Sequence, residues 1–245
     1  EGDRVNMSIF RRKKNMARPL CAAVVAAAGS SSRMGEDKIM LPLGEEPVIV
    51  HTVRALEQCP LISELVVVTR EALLVPVAQL CRDYGFTKVT KVIRGGATRG
   101  ESVLLGVREI TCDPQLIAIH DGARPFLSPQ VADAVIRQAQ AGGAAAPALP
   151  LKDTIKQVRA GLVERTVDRS DLYAVQTPQV FDADLIRAAL QQALTDGAEL
   201  TDDCSAVERL GMKVVLTQGS EENIKLTTPF DLMVGEAIIR QREGY

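Results

Sequence analysis

Short aliphatic runs recur along the chain, each followed by an amphipathic stretch, and this limits the fold more than any other feature. Cys21–Ala27 (CAAVVAA), Leu65–Thr69 (LVVVT), Leu116–His120 (LIAIH) and Ala144–Leu151 are apolar almost throughout. Such runs are strands of a sheet buried on both sides, so helices must cover both faces. Val89–Ile93 reads as a further strand. Apolar residues at helical spacing fill the intervals: Val50, Val53, Ala55 and Leu56, then Leu73 to Tyr84 with Pro76 in its first turn, then Val103, Leu104 and Val107, then Val131, Val135 and Ile136. The alternation predicts an α/β fold with a three-layer Rossmann-like, mostly parallel sheet. Only 3% of residues are aromatic and Trp is absent, so Val, Ile, Leu and Ala must fill the core.

The punctuation is consistent with this. Glu46-Pro47 predicts a helix with proline at its first position, Thr98 and Glu101 have the spacing of a capping box, and Ser128-Pro129 and Thr228-Pro229 open two more helices. Another helix starts at Asp182 or Ala183, one more at Thr201, and a strand is expected over Lys213–Thr217. Between Asp153 and Asp168 two alternating segments flank Ala160-Gly161, the signature of a β-hairpin. A hairpin alone is marginal in water, so this one should lie against a second subunit. Residues 1–18, polar and basic, read as a mobile leader or expression remnant, and 19–245 as a single domain with an arm at about 152–169.

The first strand runs out into Ala27, Ala28, Gly29 and Ser30, with Arg33, Gly35 and Lys38 close behind. In an open α/β sheet ligands bind beyond the carboxyl ends of the strands. A small-residue loop there lets backbone N–H groups approach a phosphate, and arginine and lysine balance its charge. The patterns GxxxxGK[ST] and GxGxxG are absent, which removes the P-loop ATPase and dinucleotide-dehydrogenase readings. Gly95-Gly96 suits either a plain turn or close approach of a base or phosphate. Asp121 and Arg124, delivered by the fourth strand, suit a magnesium or hydroxyl contact and an anion contact, or else a local ion pair. His120 reads as a satisfied strand-end histidine. A formal charge of −2 and the lack of a basic stripe argue against nucleic-acid binding, and no apolar run reaches the ~20 residues of a membrane span. Five widely spaced cysteines without a CxxC pair point to thiols in a reducing compartment, the cytoplasm.

In order, AAAGSSSRMG with Lys38, GGATRGESV, HDGARP, KDTIK, TVDR, TPQ, TDD and NIKLT resemble the 2-C-methyl-D-erythritol 4-phosphate cytidylyltransferase family over about residues 20 to 240. The resemblance implies transfer of CMP from CTP to a polyol phosphate, 2-C-methyl-D-erythritol 4-phosphate, giving the diphosphocytidyl product and pyrophosphate, with Mg2+ on the triphosphate and a homodimer joined through the hairpin arm. It implies that Ala27 to Lys38 wraps the triphosphate, with Arg33 and Lys38 stabilising the transition state. It further implies that Lys225 and a partner-supplied Arg169 hold the acceptor phosphate. Gly95, Gly96 and Ser102 match positions around the cytosine, and Asp121, Arg124, Thr154 and Thr177 positions near ribose, magnesium or acceptor. Two departures stand out: Asp37-Lys38-Ile39 replaces a common Pro-Lys-Gln, and Ala97 stands where some members carry an acidic residue. Competing readings are a ribitol-5-phosphate cytidylyltransferase, a sugar-1-phosphate nucleotidyltransferase, and a nucleotide-binding regulator without turnover.

Overall fold

Cys21–Ala27 forms the first strand, β1, and its alternate side chains set the layering. Residues 21, 23, 25 and 27 point into one apolar layer and Val24 into the other, because successive strand residues face opposite sides. The computed structural model describes residues 18–29 and 37–244. After β1 come β2 (Pro42–Leu43), β3 (Glu46–Pro47), α1 (Val48–Glu57), β4 (Ile62–Thr69), α2 (Leu74–Asp83) and β5 (Val89–Arg94). Then follow α3 (Arg99–Glu109), β6 (Leu116–Asp121), α4 (Pro129–Gly142), β7 (Ala144–Pro150), β8 (Ile155–Arg159), β9 (Leu162–Val167), β10 (Tyr173–Val175) and β11 (Gln179–Asp182). The remainder is α5 (Ala183–Thr195), α6 (Asp203–Arg209), β12 (Val215–Gln218) and α7 (Pro229–Glu243).

The main sheet runs β10-β7-β11-β6-β1-β4-β5, with β12 on the outer side of β7. β1, β4, β5 and β6 pair in parallel, as do β7 and β12, while β10 and β11 are antiparallel to their neighbours. One face is covered by α1, α2 and α4 through residues such as Val53, Val77 and Ile136. The other carries α3, α5 and α6 through Val107, Ile186 and Val207. The α/β class and the mostly parallel three-layer sheet therefore stand as expected. Gly106 explains how closely α3 approaches: a Cβ there would lie 2.6 Å from both Val24 Cγ1 and Val68 Cγ2.

Several boundaries move. Pro47 is the cap before α1 rather than its first residue, because Glu46–Pro47 pairs with Pro42–Leu43 as a short ribbon. Helix α6 begins at Asp203, since the Asp202 side chain, not Thr201, accepts the Ser205 amide and caps it. Strands β10 and β11 were not expected. The capping boxes of α3 and α7 form in full, the second completed by Asp231. Arg18, placed with the leader, instead binds the Asp113 carboxylate at 2.6 Å and the Pro114 carbonyl, which ties residue 18 to the folded body. Residues 1–17 lie outside the described part.

The hairpin is a two-stranded sheet of its own, β8 with β9. Both residues of its turn have positive φ, Ala160 at 49° and Gly161 at 81°, the twist that two-residue hairpins need. Val158, Leu162 and Val163 are exposed on it, Leu162 to 75%.

Glu64, in β4, shows how the far end of the sheet is closed. Its carboxylate accepts from the Thr111 amide (2.9 Å), the Cys112 amide (2.7 Å) and the hydroxyls of Thr111 and Thr90. Burial alone would raise its pKa, but these donors outweigh it and hold the group at about 2. Its folded-state value is depressed, so the stabilisation is complete above the ordinary carboxylate range and fades as pH falls towards 2. Glu64→Gln is therefore expected to cost about 3 kcal/mol at pH 7 and much less near pH 3. Urea unfolding at both pH values checks this, and an equal gap at the two would refute it.

Candidate functional site

The parallel strands end level with one another. Ala27 is paired with Thr69 and Thr69 with Arg94, while Ala26 is paired with Asp121 on the other side. Beyond these ends opens a cavity of about 390 Å3. Its walls are the Ala27-Ala28-Gly29 backbone, the turn holding Lys38, the Gly96–Thr98 loop and the exposed Lys225, with the buried Ser102 and Asp121 deeper in. Six of the expected nucleotide-binding residues (Ala27, Ala28, Gly29, Gly96, Ser102 and Asp121) thus line the same space as Lys38 and Lys225. Ser30 and Arg33 lie outside the described residues.

Local sequence explains each wall. Thr98 and Glu101 close their capping box at 3.1 Å (Glu101 amide to Thr98 Oγ1), and Glu101 Oε2 accepts the Ala97 amide at 2.7 Å. The amino end of α3 is thereby turned toward the cavity, where Thr98 and Arg99 emerge. Ser102 donates its hydroxyl to the Thr98 carbonyl and accepts the Gly96 amide at 3.1 Å. Gly95 lines an adjoining recess with Thr69 and Arg94. A Cβ on it would come within 2.5 Å of the Ala28 Cβ and 2.7 Å of Ser102 Oγ, so glycine is required by packing of the two walls. The turn holding Lys38 is closed by the Met40 amide on the Asp37 carbonyl (2.7 Å), and Arg70, just after β4, pairs with Asp37.

Asp121 is the electrostatic centre. Lys225 Nζ lies 2.8 Å from its Oδ2, Arg124 Nε 3.6 Å from the same oxygen, and Arg99 3.5 Å from Oδ1. Burial opposes ionisation, but Lys225, Arg99 and Arg124 prevail and hold the carboxyl well below its usual range. Arg124 is thus in the local ion pair rather than in the cavity wall, and its Nη1 donates to the Asn223 carbonyl at 2.7 Å. His120 is fully buried. Its Nε2 faces the Arg124 carbonyl (3.0 Å) and its Nδ1 the Thr177 hydroxyl (2.9 Å), which assigns the proton to Nε2 of a neutral ring. Burial pushes its pKa down to about 4, so it carries no charge at neutral pH and serves as a strut. Thr177 is buried behind the floor, where it also accepts the Asp121 amide (3.1 Å). Thr154 and Arg169 are exposed, next to the two ends of the hairpin, and do not line the cavity of a single chain.

Sequence reasoning missed Arg70 and Arg99 in the lining, and Asp203 behind it. Asp203 stood within TDD with no role, and Arg99 within GGATRGESV; only the fold brings them together, since they are 104 positions apart.

A mostly parallel α/β sheet with a glycine loop, a helix amino end and two lysines around one crevice places the chain among proteins that bind nucleotide phosphates beyond their strand ends. A family model described as 2-C-methyl-D-erythritol 4-phosphate cytidylyltransferase (IspD) matches residues 21–241. The chain belongs to this 2-C-methyl-D-erythritol 4-phosphate cytidylyltransferase family. Curated relatives of that name include one from Symbiobacterium thermophilum, 42% identical over 90% of this chain and 93% of its own length. Another, from Pelotomaculum thermopropionicum, is 44% identical over 91% and 95%. Among solved structures, the 4-diphosphocytidyl-2C-methyl-D-erythritol synthase of Anaerococcus prevotii superposes with a TM-score of 0.80 at 28% identity, covering 90% of this chain and 96% of that one. The cytidylyltransferase of Thermus thermophilus gives 0.76 at 32% identity, covering 89% and 98%.

Proposed function

We propose that this chain transfers CMP from CTP to 2-C-methyl-D-erythritol 4-phosphate, releasing pyrophosphate and forming 4-diphosphocytidyl-2-C-methyl-D-erythritol, a step of isoprenoid biosynthesis. The observation that carries the reading is the convergence of Lys38, Lys225 and Asp121 on one cavity in a chain matched by that family along residues 21–241. An oxygen of the acceptor phosphate attacks the α-phosphorus of CTP, and the bond to the bridging oxygen of pyrophosphate breaks. The nucleophile is already an anion, so no base is needed, in keeping with a neutral, buried His120. Two anions must meet, and the task is charge neutralisation and alignment.

In this reading Arg33 and Lys38 take the charge that grows on the α-phosphate and the leaving group. Lys225 and Arg169 aim the acceptor, and Ala27, Ala28, Gly29, Ser30, Gly95, Gly96 and Ser102 surround the nucleotide. Thr154 lies at the base of the arm, while Arg124 and Thr177 support the floor from behind. Among the described residues no three His, Cys, Asp or Glu side chains form a metal-binding cluster. Two carboxylates line the cavity, Asp37, which pairs with Arg70, and Asp121; Asp121 fits Mg2+ carried in by the triphosphate, since magnesium at such sites keeps phosphate and water ligands besides one or two carboxylates. The ion would neutralise triphosphate charge there.

The exposed apolar side chains of the hairpin support a homodimer in which the arm at about 152–169 of one copy reaches the crevice of the other, residues 19–245 acting as one domain. No described helix is long and apolar enough to cross a membrane. Five cysteines without a disulfide, four of them buried, support a cytoplasmic site of action, and a formal charge of −2 speaks against nucleic acid as a partner. Pyrophosphate release measured with CTP and either 2-C-methyl-D-erythritol 4-phosphate or ribitol 5-phosphate tests the reading. Faster turnover of the methylerythritol substrate is expected; preference for ribitol phosphate, or no release with either, would overturn it.

A further inference from the structure

We propose that Arg99 is a positioning residue that ties the Asp121 carboxylate on the crevice floor to Asp203, a buried anchor in α6, and so fixes how Asp121 faces the nucleotide. The guanidinium meets Asp203 fork to fork, Nη1 to Oδ1 at 2.8 Å and Nη2 to Oδ2 at 2.7 Å. The same Nη2 stands 3.5 Å from Asp121 Oδ1. Asp203 has no exposed surface, and its amide and that of Cys204 both donate to Gln179 Oε1 at 2.9 Å, so the anchor cannot swing away.

The two oxygens of Asp121 are thus held separately, Oδ1 by Arg99 and Oδ2 by Lys225, with Arg124 Nε 3.6 Å from Oδ2. Arg99 also stands between two carboxylates that otherwise repel. Without it Asp121 loses its restraint on one edge and turns onto Lys225, which misdirects both groups. A buried ion pair that served stability alone would be replaceable by apolar residues of similar size without loss. One that aims a third group would not be, and this difference makes the role measurable.

The inference rests on the activity proposed above, because pyrophosphate release is its readout. The paired variant Arg99→Met/Asp203→Leu removes both charges and leaves no buried ion alone. It is expected to melt within a few degrees of the parent yet to lose about tenfold or more in kcat/KM. Arg99→Lys keeps a charge against Asp203 but not the fork, and is expected to lose about fivefold. In an Asp121→Asn background, adding Arg99→Met should cost less than about twofold, because its effect passes through Asp121. Parent-like kcat/KM in the paired variant would overturn the proposal; if that variant does not fold, parent-like kcat/KM in Arg99→Lys does so. So would an equal cost of Arg99→Met with and without the Asp121 carboxylate. A parent protein that releases no pyrophosphate would sink the functional reading instead, so the two failures are distinguishable.

Discussion

Replacing Lys38 with alanine is expected to lower kcat about a hundredfold or more, the cost of one preorganised donor to a transition state, about 3 kcal/mol. The fold should survive, because Lys38 sits in a surface turn at the cavity mouth and contributes nothing to either apolar layer. The charge it meets is greatest when the pyrophosphate begins to leave, so kcat should fall more than the KM for CTP rises. Single-turnover pyrophosphate release together with a thermal melt separates chemistry from folding. Turnover near the parent rate in a folded variant would remove Lys38 from its assigned role.

Mixing two inactive proteins should regenerate activity. In a homodimer whose arm supplies Arg169 to the opposite crevice, Lys38→Ala and Arg169→Ala bring their lesions together in the same site of the mixed species. One of its two sites then contains both lesions and the other neither. With free exchange of subunits, an equal mixture should recover about a quarter of the parent activity. The exposure of Arg169, and its absence from the cavity lining of its own chain, are what make the experiment informative. Verified exchange without recovery would rule out a shared site.

The layout was legible where physical signals were local. LVVVT and LIAIH could only be buried strands, Thr98 with Glu101 announced the start of α3, and Ala160-Gly161 announced the hairpin turn. Strands β10 and β11 were not legible, being three and four residues long with a proline just before the second. Their conformation comes from pairing with β7 and β6, which no short stretch of sequence reveals. The same holds for the site. Gly29, Lys38 and Lys225 were found from loops and motifs, and they do meet in one cavity. Arg99 was passed over because an arginine in a first helical turn is unremarkable until its partners, 22 and 104 positions away, are known. Arg124, read as an anion contact or else as half of a local ion pair, lies beside Asp121 and donates to the Asn223 carbonyl, the second of the two alternatives.

The hairpin leaves the body where the Leu151 amide meets the Leu172 carbonyl at 3.0 Å, and β8 and β9 pair only with each other. If such an outrigger finishes a neighbour's catalytic set, dilution becomes an off switch: specific activity should decline as copies separate, although every separated copy remains folded.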